Sequence, residues 1–131
     1  MDDVEVLAKT IYGEARGEPV EGQYAVGATV VNRLALHTWY GSTVTGVCLK
    51  PYQYSCWLKS DPNYQKLIVM EDTDPLLLPF INIAEEVING TNDPTNGATH
   101  YYAVSIPPPA WIANATFTVQ IGHHRFYKDV P

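Results

Sequence analysis

Apolar residues at 4, 7, 8, 11 and 15 recur at helical spacing and form one buried stripe. The spacing predicts a helix over 4–16. Gly17 and Pro19 end it, because the residue before a proline is pushed out of the α region. Pro19 then suits the first turn of a second helix running to about residue 36. Tyr24, Ala25, Val26, Ala28, Val30, Val31, Leu34 and Ala35 make that segment apolar on nearly all sides, which predicts the central, buried helix. Residues 38–57 are irregular and turn-rich, with room for a short helical turn over 44–49 and a strand over 53–58. Asp61-Pro62 reads as an N-cap and a first-turn proline opening a helix to about residue 69. Apolar positions 77, 81, 84 and 88 predict a further helix, closed by Asn89-Gly90. A loop follows over 91–97. Residues 100–104 and 117–121 are the best strand candidates, and the proline-rich run 106–109 between them is an extended connection. The pattern is that of one mainly helical α+β domain over 1–131 with a small antiparallel sheet.

Bulk properties narrow the function classes. The chain has 131 residues, 46% of them hydrophobic and 17% charged, as in an ordinary globular domain. Its net charge of −6 argues against nucleic acid and against anionic membrane surfaces as partners. Residues 24–36 are the longest apolar stretch. Gly27, Thr29, Asn32 and Arg33 interrupt it, so no membrane insertion is expected. Met1-Asp2-Asp3-Val4-Glu5 lacks the basic and apolar regions of a secretory signal, which predicts a protein made in the cytoplasm that reaches its target by other means; a monomer is expected. Cys48 and Cys56 read as buried small hydrophobes rather than a disulfide or an activated nucleophile.

The candidate chemistry starts at Glu14. On a helical wheel it falls to one side of the buried stripe, beside Leu7, in the last turn of the first helix. Partial burial and the negative helix end both disfavour a carboxylate and raise its pKa, as a general acid requires. Gly13 and Gly17 bracket it. Glycine inside a helix costs about 1 kcal/mol against alanine, so its use here points to a close approach of another group at both positions.

Tyr12-Gly13-Glu14-Ala15-Arg16-Gly17-Glu18, Glu21-Gly22-Gln23, Ala25-Val26 and Asn32-Arg33 resemble the opening of spore-cortex-lytic (SleB/CwlJ-type) cell-wall hydrolases. The likeness continues in order through Gln53-Tyr54-Ser55-Cys56, Asn96-Gly97-Ala98-Thr99-His100-Tyr101-Tyr102, Pro109-Ala110-Trp111 and Ile121-Gly122-His123-His124-Arg125-Phe126-Tyr127. It departs from the family pattern at the doubled histidine, where His124 is the better match, and at the proline run 107–109. The resemblance implies a fold related to goose-type lysozymes and lytic transglycosylases, and cleavage between N-acetylmuramic acid and N-acetylglucosamine. It implies Glu14 as the catalytic residue and places Gln53 and Ser55 among the substrate-binding ones.

Most glycosidases use two carboxylates. Glu18 lies four residues on, beyond the expected helix end, and reads as a polar cleft or capping residue. Glu71, Asp72 and Asp74 are loop candidates without supporting signal. A single Glu fits a transglycosylase route, in which the 6-hydroxyl of the sugar replaces water. His37, His100, His123 and His124 lack the i, i+4 pairing of a zinc helix, so neither a metal nor another cofactor is expected. His100 and His124 are instead hydrogen-bonding residues of the cleft or core. Tyr101, Tyr102 and Trp111 flank the proline-rich run and could stack on sugar rings, although strand alternation sends only one of the two tyrosines toward sugar. Asn32 reads as a satisfied hydrogen-bonding group within the second helix. The expected partner is therefore a peptidoglycan glycan strand, cut by a phage endolysin, a virion lysin or a spore hydrolase after release to the wall. A hydrolysing muramidase and an inactive wall-binding module are the alternatives.

Overall fold

The computed structural model describes residues 1–36 and 38–131, with residue 38 described by its backbone alone. Helix α1 spans Asp3–Ala15. Its N-cap Asp2 accepts the Glu5 N–H at 2.8 Å, and Asp3 and Glu5 place negative charge in the first turn. Helix α2 spans Val20–Leu36 and opens on the Pro19 carbonyl, which accepts the Gln23 N–H at 3.1 Å. Residues 25–30 of α2 are all buried, so it is the central helix that its apolar run predicts. Helix α3 (Val44–Leu49) is capped by Thr43 and tied to α1 by Asp3, which accepts from the Thr45 N–H at 3.0 Å and from its hydroxyl at 2.6 Å.

Helix α4 (Tyr64–Val69) starts later than expected. The Asp61 carboxylate accepts the Asn63 N–H at 2.8 Å and so closes a turn through Pro62 rather than capping the helix. Helix α5 spans Leu78–Ile88, carries proline in its first turn and ends at Asn89 and Gly90, whose φ is +79°. It packs on α1 and α2. A Cβ on Gly27 of α2 would lie 3.0 Å from Ile11 of α1 and 3.2 Å from Val87 of α5, so glycine lets these three helices meet closely.

The sheet is antiparallel in the order β1-β3-β2, with β1 at His100–Ala103, β2 at Thr116–Ile121 and β3 at His124–Lys128. The central strand β3 lies where no strand was expected. His124, Phe126 and Tyr127 are all buried there, so the alternation that marks a strand in sequence is missing. Gly122 and His123 join β2 to β3, with Gly122 at φ +56°. Ile121 and Phe126 carry the sheet into the helical core. Cys48 and Cys56 are buried and unbonded, and burial pushes the Cys48 thiol up to about 12. Among the described residues no helix is long and apolar enough to cross a membrane.

The expected strand over 53–58 is instead a 3-10 turn, Ser55–Trp57. Tyr54 and Cys56 are buried with Ser55 exposed between them, which mimics strand alternation. The backbone closes locally, however, with the Trp57 N–H donating to the Tyr54 carbonyl at 3.1 Å and the Leu58 N–H to the Ser55 carbonyl at 2.9 Å. The turn is anchored on both long helices. The Trp57 indole N–H donates to the Thr10 hydroxyl of α1 at 2.9 Å, and the Tyr54 and Thr29 hydroxyls share a 2.9 Å hydrogen bond on α2.

Gly13 admits this turn: a Cβ there would lie 2.7 Å from the Cys56 Cβ and 3.2 Å from Leu67. The close approach expected at Gly17 is not found, since a Cβ there would meet nothing within 4 Å. Gly13→Ala should therefore destabilise the protein by about 1–2 kcal/mol, overpacking outweighing the better helix propensity of alanine. Gly17→Ala should be neutral or stabilising. Chemical denaturation of both variants checks the pair, and equal midpoints would show that the Cys56 contact yields freely.

Candidate active site

Glu14 sits in the last turn of α1, half-buried, where the 3-10 turn and β1 converge on it. The Tyr101 hydroxyl donates to its Oε1 at 3.3 Å and the Ser55 hydroxyl to its Oε2 at 3.5 Å. Both bonds are long and hold the ionised form weakly. Desolvation raises the Glu14 pKa, and the nearby Asp61 carboxylate raises it further. Together they outweigh the hydrogen bonds from Tyr101 and Ser55, leaving the pKa above the ordinary carboxylate value. The Tyr101 phenol is itself pushed well up by burial and by Glu14, so it stays protonated and acts as a donor.

Glu14 lines a cleft of about 430 Å³. Gln53, Ser55, Tyr101, Tyr102, Trp111 and His124 border the same cleft, so most of the residues singled out in the sequence meet there. Both tyrosines border it, against the expectation that only one would face sugar. β1 is an edge strand, and the cleft reaches both of its faces: Tyr101 turns to Glu14, while Tyr102 packs near Trp111 and Tyr127. His100 stands behind the wall. Its ring lies 5.3 Å from that of Trp111, and its Nδ1 is 2.8 Å from the Thr99 hydroxyl. Burial and the Arg33 charge lower its pKa to about 4, so it is neutral.

Glu14 also lines a second, shallower hollow with Arg16, Glu18 and Asn63, and thus stands at the junction of the two. Glu18 receives the His123 backbone N–H at 2.7 Å on Oε1, and the His123 ring Nδ1 lies 2.9 Å from Oε2. Burial alone would raise its pKa, but these hydrogen bonds and the neighbouring imidazoles bring it below the ordinary value. His124 is the histidine that borders the main cleft, and its Nδ1 is 3.8 Å from Glu18. Burial lowers its pKa, more than the Glu18 charge raises it. His123 is exposed on the hairpin turn, and His37 lies outside the described residues. Among the described residues no three His, Cys, Asp or Glu side chains group as a metal site would require.

Among the charged and aromatic residues that line the cleft, Arg33 and Tyr52 were given no site role from the sequence. Arg33 is buried in α2, donates from Nε to the Thr99 carbonyl and from Nη1 to the Gln53 carboxamide, both at 2.6 Å, and lies over the rings of Tyr40 and Tyr54. Its place in the Asn32-Arg33 block of the family resemblance, and a cation in a mostly apolar helix, were the available signals. Tyr52, at φ +66°, had no signal beyond its aromatic character. Asn32 is satisfied as expected, donating to the Ala98 carbonyl at 2.8 Å and to Asp93 at 3.1 Å.

A family model described as Cell Wall Hydrolase matches residues 17–127. Glu14 lies just ahead of that match but within the span of longer similarities. The spore cortex-lytic enzyme of Oceanobacillus iheyensis is 33% identical over 129 residues, covering 97% of this chain and 42% of the relative. That of Bacillus subtilis is 30% identical over 127 residues, covering 95% and 37%. The chain thus spans about two-fifths of the length of these curated relatives. The crystal structure of the catalytic domain of the Bacillus cereus SleB protein superposes with a TM-score of 0.77 at 29% identity, covering 96% of this chain and 89% of that one. The catalytic domain of the germination-specific lytic transglycosylase SleB from Bacillus anthracis superposes with a TM-score of 0.76 at 29% identity, covering 96% and 93%. The chain shares the fold of the SleB catalytic domain and belongs to the cell wall hydrolase family.

Proposed function

We propose that this chain cleaves peptidoglycan glycan strands between N-acetylmuramic acid and N-acetylglucosamine, as a lytic transglycosylase in which Glu14 is both acid and base. One observation carries the reading: among the described residues Glu14 is the sole acidic one on the wall of the main cleft, and its pKa is raised. A hydrolase needs a second group to hold and activate water, commonly a carboxylate about 5–9 Å from the first. Of the two other carboxylates near Glu14, Glu18 has both oxygens engaged by His123 and Asp61 accepts the Asn63 N–H, and neither lines the main cleft. The name of the similar Bacillus anthracis domain, a lytic transglycosylase, agrees with the reading.

Protonated Glu14 would donate its proton to the glycosidic oxygen as the bond to the muramic C1 breaks. The muramic 6-hydroxyl oxygen then bonds to C1, and its proton returns to Glu14. Charge develops close to the Tyr101 and Ser55 hydroxyls, which steady the carboxylate formed in between. The attacking hydroxyl belongs to the substrate, so proximity replaces a bound water. The junction of two hollows at Glu14 suits a polymer with sugar units on either side of the broken bond. The wall is the site of action, whether the protein is delivered as an endolysin, a virion lysin or a spore hydrolase.

Glu14→Gln should fold and lose at least about 100-fold in the rate of clearing permeabilised cells. Activity within a few-fold of wild type would remove Glu14 from the role.

The same group sets a pH trend in stability. Its folded pKa lies above the unfolded value, so its contribution is full below the ordinary carboxylate range and is lost as pH rises through the raised value. The Tm of Glu14→Gln relative to wild type should therefore increase from about pH 4 to about pH 8. A constant difference would contradict the burial of this carboxylate.

Muropeptides released from purified sacculi should end in 1,6-anhydro-N-acetylmuramic acid, one water lighter than reducing-end products by mass spectrometry. Products that are entirely reducing would replace the transglycosylase with a muramidase, with Glu18 the first candidate base.

A further inference from the structure

The chain leaving α3 reverses through Pro51 and Tyr52. The Gln53 N–H donates to the Lys50 carbonyl at 3.1 Å, so residues 50–53 form a β-turn with proline second and tyrosine third. Tyr52 has φ +66°, which with the preceding proline is the type II pattern. The third position of that turn favours glycine or asparagine, because a positive φ drives Cβ toward the following carbonyl oxygen. The other non-glycine residues at positive φ are Asn92, Asn96 and Asp129, types that tolerate this conformation. Tyr52 is the exception among the described residues.

Nothing inside the fold accounts for it. The side chain is 83% exposed, and neither its ring nor its hydroxyl has a partner among the described residues. A strained backbone position is kept only where something else requires the residue, and such positions cluster at functional sites. Tyr52 lines the main cleft, next to Gln53. The base of the turn is firm: Gln53 is held by Arg33 at 2.6 Å and Tyr54 by Thr29 at 2.9 Å. The ring is therefore presented to the cleft by a rigid turn that gains nothing from it.

We propose that Tyr52 is a carbohydrate-stacking residue, whose ring carries the apolar face of one pyranose of the bound glycan strand. The proposal rests on the reading of the cleft as a glycan site. A flat apolar ring with a polar edge suits a sugar, which buries its C–H face and leaves its hydroxyls wet. It requires no movement of the core and no group that the chain lacks.

The test compares Tyr52→Gly, Tyr52→Asn and Tyr52→Phe with wild type on soluble, uncrosslinked glycan strands, with Tm measured alongside. Glycine and asparagine relieve the strained position while deleting the ring. They should hold or raise Tm, raise KM about tenfold and leave kcat within a few-fold. Phenylalanine keeps the ring and should restore most of the lost KM. An unchanged KM in Tyr52→Gly overturns the proposal. So does a fall in Tm that accompanies the loss of activity, because the residue would then be supporting the fold. Wild-type protein that fails to cut the strands overturns the reading of the cleft itself, and the stacking role falls with it; that outcome is distinguishable because it appears before any substitution is made.

Discussion

Cys56 sits so close to Gly13 that a Cβ added to the glycine would lie 2.7 Å from the Cys56 Cβ, and the position of Ser55 beside Glu14 follows from that contact. The 3-10 turn can reach the last turn of α1 only because the helix offers bare backbone there. Thr10 below and Thr29 on the neighbouring helix then fix the turn through Trp57 and Tyr54. Glu14 is thereby walled on one side without being sealed. Enough water is lost to raise its pKa, and the cleft on its other side stays open.

The second wall depends on the sheet. β3 is its central strand and places Phe126 against Tyr101, ring centres 5.5 Å apart, while Tyr101 extends its hydroxyl to Glu14. The hairpin between β2 and β3 is held at its tip by Glu18. Gly122 is required there twice, for its positive φ and because a Cβ would lie 2.5 Å from the Glu18 carboxylate. Two carboxylates four residues apart are thus driven in opposite directions. Glu14 is buried against weak donors and favours its proton, whereas Glu18 is paired with histidine and favours its charge. The first keeps its proton to a higher pH than an ordinary carboxylate, as the proposed acid requires, and the second holds the sheet to the α1–α2 junction.

The main helices were legible because each buries a face large enough to leave a periodic apolar trace. α1, α2 and α5 lie close to where that trace puts them. The start of α4 was not, because an aspartate before a proline caps a turn as readily as a helix, and only the neighbouring chain decides which. Residues 53–58 alternate like a strand because two anchors happen to point inward, yet their backbone hydrogen bonds close locally, from Trp57 to Tyr54 and from Leu58 to Ser55. β3 shows the reverse: it is central and paired on both sides, and burial of consecutive residues erases the alternation.

The candidate site divides along the same line. Local sequence determined Glu14 as a boundary carboxylate at a helix end, the glycine beside it, and the aromatic and histidine types that gather in the cleft. Their meeting depends on contacts that no local pattern encodes. Tyr101 lies 87 residues from Glu14, and His123 lies 105 from Glu18. Burial, and with it the raised pKa, exists only once those distant segments have displaced water. The placement of Arg33 and Tyr52 on the cleft wall was likewise decided by tertiary structure. The first is a cation whose acceptors come from two remote loops, and the second an exposed ring whose strained backbone becomes visible only in three dimensions. Sequence sets which groups are available and which faces turn inward; desolvation and long-range pairing, which decide their chemistry, belong to the assembled fold.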